Sequence, residues 1–388
     1  MTKYTRTKKI LGLLPPVGGG IRDLKETGQE SRLINYYFKE YTKVFDEIRY
    51  FSYFDETIEE YTDDPILLSR IRFFPNKTRI KGKAYSFILP IILRDEIRTC
   101  NVLRIFQITG NIPLLFLKPL GLPPIISTYG YRGTRLEYLK RKYIKSLLLF
   151  PIEHAGIHFS DHIITTTVEL KEYLMQHIPE TKITLIPNGV DTELFKPNSN
   201  LVAKNKNTYT ILFIGRLSEQ KNLFRLFEAI KAACLNIRLI LVGKGHLKET
   251  LQKAAHGFEA EFIDYVPHNE LPNLMRRANI FVLPSVYEGH PKVLLEAMSM
   301  GLPCVVSDCD GNRTLISDGE TGLLFNPYDI QDMALKLKLA LTNSELAKQL
   351  GQGARKYVEE NYEIRNLIKR EVELLLLLSQ KSMTQKLK

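Results

Sequence analysis

The chain has 388 residues and a formal net charge of +11, with 44% hydrophobic and 25% charged residues. This length is sufficient for two domains that each bury a core. The composition is that of a globular protein, and no apolar run reaches the roughly 18 residues of a membrane-spanning helix, which excludes disordered and multi-span membrane classes.

The first half predicts a parallel sheet. Ile10 to Leu14 is predicted as the first strand, and Gly18, Gly19 and Gly20 follow it, with a helical pattern from about Gly28. Glycine allows backbone amides to approach a phosphate or sugar closely, although a flexible turn is the alternative. Further strands are predicted at Ile48 to Tyr53, Val102 to Ile108, Pro124 to Tyr129, Ile163 to Thr167 and Ile183 to Ile186.

Positive charge is concentrated in the first half, because residues 1–190 carry +8 of the +11 and residues 191–388 carry +3. Within Tyr131 to Phe150, six cations alternate with Leu and Tyr between Arg132 and Lys145. This pattern predicts a basic amphipathic helix that lies on an anionic membrane surface, or else the solvated face of a core helix. Nucleic acid is not an expected partner, because no nucleic-acid-binding motif accompanies the charge.

The second half alternates short β-branched runs with helical patterns, which predicts parallel strands joined by crossover helices. A polar linker is predicted at Lys196 to Thr208. The predicted strands are Thr210 to Gly215, Ile237 to Gly243, Glu261 to Val266, Asn279 to Pro284, Pro303 to Ser307 and Gly322 to Phe325.

Two cations follow the Thr210 to Gly215 strand, in the turn before a helix that carries Leu223, Leu226, Phe227 and Ile230. Arg216 can bind a phosphate through two parallel hydrogen bonds, and Lys221 supplies a point charge. Side chains at the end of a parallel strand reach the carboxyl edge of the sheet, where ligands bind in such folds. These residues therefore indicate a phosphate site.

A second anion site is predicted where Pro291 begins a helix to about Met300, because the N–H groups of Lys292 and Val293 point out of its start. Glu288 precedes this helix and Glu296 lies within it. Carboxylates would repel a phosphate, so they are better suited to accept hydrogen bonds from sugar hydroxyls. A ligand with both parts is a nucleotide sugar.

These segments resemble the retaining GT-B glycosyltransferases of family 4 in two motifs, G-R-L-x-x-x-K-N from Gly215 and E-G-x-P-x-x-x-x-E-A-M-x-x-G-x-P from Glu288. The resemblance implies an α/β fold of two Rossmann-like doubly wound domains that face each other across a cleft. Residues 1–190 would bind the acceptor and residues 191–360 the donor, with a C-terminal helix at about 360–380 packing back on the first domain.

The resemblance also implies residue roles. Glu296 would bind the ribose hydroxyls, Glu288 would contact the donor sugar, and Arg216 with Lys221 would neutralise the diphosphate. Tyr129-Gly130-Tyr131 stands in the loop where many relatives carry His, which alters a usual sugar or acceptor contact. Other residues expected at the nucleotide sugar are Gly19, Gly20, Gly215, Val266, Gly289, Pro291, Lys292 and Val293.

The expected activity is transfer of a hexose from a UDP- or GDP-sugar to a lipid-linked or polysaccharide acceptor, in the cytoplasm or on the inner membrane face. No cofactor or metal is expected: Asp308-Cys309-Asp310 resembles a metal-binding D-x-D, but Arg216 and Lys221 already supply the charge. Two alternatives remain open. One is a nucleotide-sugar epimerase of the same architecture, and the other is a non-catalytic, membrane-associated binder of sugar nucleotides.

Overall fold

A computed structural model describes residues 8–26, 30–130, 132–134, 142–197 and 208–386, without side-chain detail for 116–120 and 381–386. The chain divides into two compact units. Unit 1 comprises Met1–Pro187 and Arg365–Lys388, and unit 2 comprises Asn188–Ile364. The predicted linker falls largely on residues 198–207, and much of the predicted basic helix falls on residues 135–141; both stretches lie outside the described residues.

Unit 1 is built on a seven-stranded parallel sheet with the order β3-β2-β1-β4-β5-β6-β7. The strands are rich in buried Ile, Leu, Val and aromatic residues, as expected for a sheet that is covered on both faces. They are β1 Ile10–Leu14, β2 Glu47–Phe51, β3 Ile71–Phe74, β4 Val102–Ile105, β5 Ile125–Tyr129, β6 His162–Thr165 and β7 Ile183–Leu185.

Helical segments connect these strands. They are Ile21–Glu26, the consecutive turns Glu30–Arg32, Leu33–Phe38 and Lys39–Thr42, and then Ile58–Glu60, Pro65–Arg70, Gly82–Ile92, Arg94–Arg98, Ile108–Leu120, Tyr143–Phe159, Val168–Met175 and Glu180–Lys182. The first helix begins at Ile21, directly after the glycines, and not near Gly28 as the sequence pattern indicated.

The C-terminal helix, Ile364–Lys386, is tied into unit 1 by a buried ion pair. Arg104 Nε donates to Glu371 Oε1 at 2.6 Å, and the Tyr41 hydroxyl donates to the same oxygen at 2.5 Å. Both Arg104 and Glu371 are almost fully buried. Removing either partner would leave an uncompensated buried charge, so the pair fixes this helix on the β4 side of the unit.

Unit 2 is built on a six-stranded parallel sheet with the order β10-β9-β8-β11-β12-β13. Its strands are β8 Tyr209–Ile214, β9 Ile237–Val242, β10 Glu259–Ile263, β11 Ile280–Leu283, β12 Cys304–Ser307 and β13 Leu323–Phe325. Its helical segments are Glu219–Lys221, Leu223–Ala233, Lys248–Ala254, Leu271–Met275, Lys292–Ser299, Asp310–Arg313, Ile330–Thr342 and Ser344–Asn361.

The strand order of unit 2 reverses direction between β8 and β11, since β9 and β10 lie on one side of β8 while β11 to β13 lie on the other. In open parallel sheets, such a switch point opens a crevice at the carboxyl ends of the strands, where ligands bind. The four apolar residues predicted to line the following helix, Leu223, Leu226, Phe227 and Ile230, are all buried, which confirms that helix. The sequence-predicted alternation of strands and helices is therefore confirmed in both units.

Among the described residues, no helix is both long enough and apolar enough to cross a membrane.

Candidate functional site

The loops after β8 and β11 meet at the switch point of unit 2. Val286 N donates to Gln220 O at 2.8 Å, and Gln220 Nε2 donates to Tyr287 O at 2.8 Å. These bonds join the turn that carries Lys221 to the loop that carries Glu288. These hydrogen bonds hold two segments, which are 67 residues apart in sequence, together in one continuous surface.

Glycines allow this close packing. A Cβ on Gly243, whose φ is +139°, would lie 2.1 Å from the carbonyl oxygen of Gly215, and a Cβ on Gly311 would lie 2.2 Å from that of Gly289. Neither distance is possible for a side chain, so only glycine fits at 243 and 311. The site residues Gly215 and Gly289 are thus packed against the backbone of Gly243, in the loop after β9, and of Gly311, in the short helix Asp310–Arg313 after β12.

Lys221 and Glu288 form an ion pair between Nζ and Oε1 at the centre of this surface. Both side chains are mostly buried, with 13% and 9% exposure. Arg216 follows Gly215 at the end of β8, and its side chain is exposed. One predicted cation and one predicted carboxylate therefore meet directly, and the second cation is accessible to a ligand.

The helix Lys292–Ser299 begins immediately after this pair. Pro291 is its N-cap residue, with φ −72° and ψ 112°, and not its first helical residue as predicted. The proline side chain cannot accept a hydrogen bond from the first turn, to which Lys292 and Val293 belong. A helix start of this kind attracts an anion through its N–H groups and its dipole.

Glu296 lies inside that helix and is almost fully buried, and it contacts a histidine that the sequence analysis missed. His268 Nε2 lies 3.0 Å from Glu296 Oε1, and the His268 ring packs edge-on against Phe195 at 5.1 Å between centroids. His268 follows partly buried Val266 by two residues in the loop after β10. His268 thus connects the loop of Val266, a residue expected at the nucleotide sugar, to Glu296, the carboxylate expected at the ribose.

The nucleotide-sugar site expected from the sequence predicts that replacing His268 by Ala weakens UDP binding by roughly three- to tenfold, because Glu296 loses a partner that fixes its carboxylate. The loss should fall on affinity, with kcat nearly unchanged. Calorimetric titration with UDP and steady-state kinetics would measure both. His246→Ala is the matched control, since His246 pairs with Glu219 in an exposed position. Equal UDP affinity in the two variants would refute the positioning role of His268.

His290, between Gly289 and Pro291, is buried against Tyr362, and its Nδ1 has no hydrogen-bond partner among the described residues. Burial lowers the pKa of His290 to about 4 from 6.5. The folded state therefore binds fewer protons than the unfolded state between these pH values. The free energy of unfolding is therefore highest, as far as His290 is concerned, above pH 6.5, where the side chain is neutral in both states. It decreases as the pH falls from 6.5 towards 4.

Between pH 7 and pH 5, the wild type should lose about 2 kcal/mol more of its unfolding free energy than His290→Phe, at roughly 1.4 kcal/mol per pH unit below 6.5. Phe keeps the ring and removes the titration. Urea unfolding at the two pH values would test this expectation. An equal pH dependence in both proteins would show that His290 is not responsible.

The loop of Gly18, Gly19 and Gly20 in unit 1, called here the glycine loop, donates backbone hydrogen bonds to other groups of unit 1. Gly19 N donates to Pro16 O at 2.8 Å, and Gly20 N donates to Asp23 Oδ2 at 3.2 Å. Ile21 N and Arg22 N both donate to the buried carboxylate of Glu56. A contact of Gly19 and Gly20 with the sugar nucleotide stays a prediction. For their N–H groups to make that contact, they would have to give up the hydrogen bonds to Pro16 and Asp23.

Tyr129 is the last residue of β5, which confirms the predicted strand Pro124 to Tyr129 and corrects the loop position that the resemblance implied. Its ring is fully buried, and its hydroxyl donates to Glu153, which also accepts from Thr134 N at 2.9 Å. Burial and the nearby Glu153 carboxylate raise the pKa of Tyr129, so the phenol remains protonated. Tyr129 therefore serves the packing of unit 1.

No group of three or more His, Cys, Asp or Glu within the described ranges is placed to hold a metal ion. In the D-x-D segment, Asp308 Oδ1 accepts from Arg313 Nε at 2.5 Å, and Arg313 also lies near Asp310. Arg313 thereby partly neutralises both carboxylates.

Two units that are each built on a parallel α/β sheet, with the candidate site at the switch point of the second, fit the GT-B class of fold. Two family models cover most of the chain: glycosyltransferase family 4 matches residues 48–194, and glycosyl transferases group 1 matches residues 196–357. The chain belongs to the family 4 glycosyltransferases and is a transferase enzyme.

Curated relatives and solved structures agree with this assignment. The chain is 28% identical over 279 residues to an Escherichia coli UDP-Gal:alpha-D-GlcNAc-diphosphoundecaprenol alpha-1,3-galactosyltransferase, covering 68% of this chain and 70% of the relative. It is 31% identical to an Arabidopsis thaliana sulfoquinovosyl transferase over 46% of this chain and 37% of the relative.

Among solved structures, sucrose-phosphate synthase from Thermosynechococcus elongatus matches with a TM-score of 0.78 and 19% identity, covering 96% of this chain and 99% of that one. Anabaena HepE in complex with UDP-glucose matches with a TM-score of 0.73 and 16% identity, covering 94% and 99%. At these identities, the likeness shows the fold.

Proposed function

We propose that this protein is a retaining glycosyltransferase that moves a hexose from a UDP-sugar to a lipid-linked acceptor in the synthesis of a surface glycan. The observation that carries the proposal is the Lys221–Glu288 ion pair beside the start of the Lys292–Ser299 helix. A diphosphate at the helix start can compete for Lys221, which leaves Glu288 to orient the hexose. UDP is favoured as the nucleotide because the E. coli relative is named for a UDP-Gal donor and the HepE structure is a complex with UDP-glucose.

The proposed roles follow from charge. Arg216, Lys221 and the helix start would stabilise the diphosphate as it leaves, because fixed charges at the site of developing charge lower the barrier. These cations do the work of a metal, so the proposed reaction is independent of Mg²⁺. Glu296, held by His268, would accept hydrogen bonds from the ribose hydroxyls. Val266, Gly215 and Gly289 would line the nucleotide, and Gly19 and Gly20 would contact the donor from unit 1.

In the proposed reaction, the bond between the anomeric carbon and the diphosphate oxygen breaks, and the electron pair leaves with the diphosphate. The acceptor hydroxyl oxygen bonds to the same face of that carbon. Its proton passes to the leaving phosphate oxygen, which is why no separate base is assigned. The anomeric configuration of the donor is thereby retained.

The acceptor is proposed to be lipid-linked, with a site in unit 1, and the enzyme is proposed to work on the inner membrane face. The E. coli relative is named for a diphosphoundecaprenol acceptor, which supports this class of substrate. The cation-rich segment from Arg132 to Lys145 supports a contact with anionic lipid.

Incubation of the purified protein with UDP-hexose alone, and with UDP-hexose plus a bacterial lipid extract, would test the proposal. Transfer predicts that UDP release and a glycosylated lipid appear only when the lipid is present, with the donor's anomeric configuration in the product by NMR. Conversion of the donor sugar without lipid would instead identify an epimerase. Binding of the donor with no turnover in either mixture would identify a non-catalytic binder.

A further inference from the structure

The Tyr143–Phe159 helix of unit 1 exposes an apolar stripe, defined here as Tyr143, Ile144, Leu147, Leu148 and Phe150. These five side chains are between 55% and 79% exposed. At 3.6 residues per turn they fall on one face, within an arc of about 160°. Glu153, Gly156 and Ile157 on the remaining face are buried. The helix therefore packs on unit 1 through its C-terminal half, whereas residues 143–151 include no buried side chain and present the apolar stripe to solvent.

This arrangement is costly in water. Exposing a leucine or isoleucine side chain forgoes most of the free energy that burial would give, and contiguous exposed apolar patches commonly mark an interaction surface. Isolated exposed apolar residues are common on soluble proteins, but five on the first two turns of one helix face are not. A partner that covers this stripe is therefore expected.

Charge identifies the partner. The sequence from Arg132 to Lys145, which leads into the stripe, contains six cations and a single acidic residue, Glu137. Lys142 is the N-cap residue of the helix, Lys145 lies in its first turn, and both are exposed. A second copy of the chain would bring an equally cationic segment against this one, which disfavours self-association. An anionic bilayer provides both an apolar interior for the stripe and negative headgroups for the lysines.

We infer that the apolar stripe inserts into the interfacial region of an anionic lipid bilayer, with Lys142 and Lys145 at the level of the headgroups. His154 and His158 continue the exposed face one turn further along the helix, with their rings 4.2 Å apart between centroids. The purpose of this membrane contact, access to a lipid-linked acceptor, rests on the proposed function. The contact itself requires no substrate.

Sedimentation with vesicles tests the insertion. The full chain should partition into phosphatidylcholine vesicles that contain phosphatidylglycerol. Leu147→Ser/Leu148→Ser should lower the partition coefficient by about tenfold or more, because two apolar side chains no longer leave water. Leu335→Ser/Leu377→Ser is the matched control, since these leucines are 63% and 51% exposed on other helices, and it should bind like the wild type.

The chain contains no tryptophan, so a single introduced one reports its own surroundings. Leu148→Trp should show blue-shifted emission on addition of anionic vesicles and quenching by brominated lipid, whereas Leu335→Trp should show neither. Lys142→Gln/Lys145→Gln should weaken binding to anionic vesicles several-fold and leave the weaker binding to neutral vesicles unchanged.

Equal partitioning of the two leucine double variants, or unchanged Leu148→Trp emission with vesicles present, would overturn the inference. So would a dimer in solution that Leu147→Ser/Leu148→Ser abolishes, because the stripe would then be a contact between copies. UDP titration of each variant separates this inference from the proposed function. Vesicle binding without UDP binding contradicts only the donor site, and the reverse contradicts only the insertion.

Discussion

Replacing Glu288 by Gln is expected to lower the rate of sugar transfer by about 10²–10³-fold while changing UDP affinity by less than about threefold. Glu288, which is proposed to orient the hexose, contributes a full negative charge that would stabilise the positive charge developing on the anomeric carbon in the transition state. The amide keeps the size of the side chain and removes that charge. The ion pair with Lys221 is also lost, which leaves the lysine available to the diphosphate.

Steady-state transfer assays with UDP-hexose and lipid acceptor, together with UDP calorimetry, would measure these effects. Glu320→Gln is the matched control, because Glu320 is an exposed carboxylate of unit 2 outside the site, and it should behave like the wild type. Unchanged transfer by Glu288→Gln would rule out its assigned role. A large loss of UDP affinity with kcat preserved would instead place Glu288 in nucleotide binding.

Replacing Lys221 by Met is expected to weaken UDP binding by about 10- to 100-fold, the range for a charge-assisted hydrogen bond to a buried anion. The variant also leaves Glu288 without this cation, and its negative charge then opposes the diphosphate. Uridine lacks phosphate, so its affinity should be almost unaffected. Calorimetric titration of both ligands would separate loss of the charge from a general disturbance of the site.

Lys253→Met controls for removal of a positive charge, since Lys253 is exposed on a neighbouring helix of unit 2. If Lys221→Met bound UDP as tightly as Lys253→Met, the diphosphate would have to lie elsewhere. An equal loss for uridine and UDP would point to a folding defect rather than to charge.

Most strands could be predicted because a parallel sheet covered on both faces leaves a continuous apolar run in the sequence. β3, Ile71–Phe74, was missed because it is short, lies at the edge of its sheet and contains the exposed Arg72. Tyr129 ends β5, as the predicted strand Pro124 to Tyr129 indicates, because tyrosine favours strands; only the resemblance to the family placed it in the following loop.

The sequence predicted which residues belong to the candidate site, but not which of them contact one another. Arg216, Lys221, Glu288 and Glu296 carry recognisable spacing, whereas the Lys221–Glu288 pair depends on how the β8 and β11 loops meet. His268 offered one signal, since it follows a predicted strand of the sheet close to Val266. Its contact with Glu296 arises only in three dimensions.

The glycine loop is a second case in which the sequence does not reveal which groups the residues contact. The sequence after β1 indicates exposed amides, but the buried carboxylate of Glu56, 35 residues beyond Ile21, accepts hydrogen bonds from the helix start. Glu56 also explains Gly20, because a Cβ there would lie 2.6 Å from Glu56 Oε1. A glycine that suggests a ligand contact is here required by a side chain of the protein itself.

The most direct test of the central claim is calorimetric titration of the purified protein with UDP, GDP and ADP, each with and without Mg²⁺. The proposed site predicts that UDP binds one molecule per chain, more tightly than GDP or ADP, with the same affinity in both conditions. Failure of all three to bind, or binding of UDP only with Mg²⁺, would contradict a nucleotide-sugar site built from Arg216, Lys221 and the helix start at Pro291.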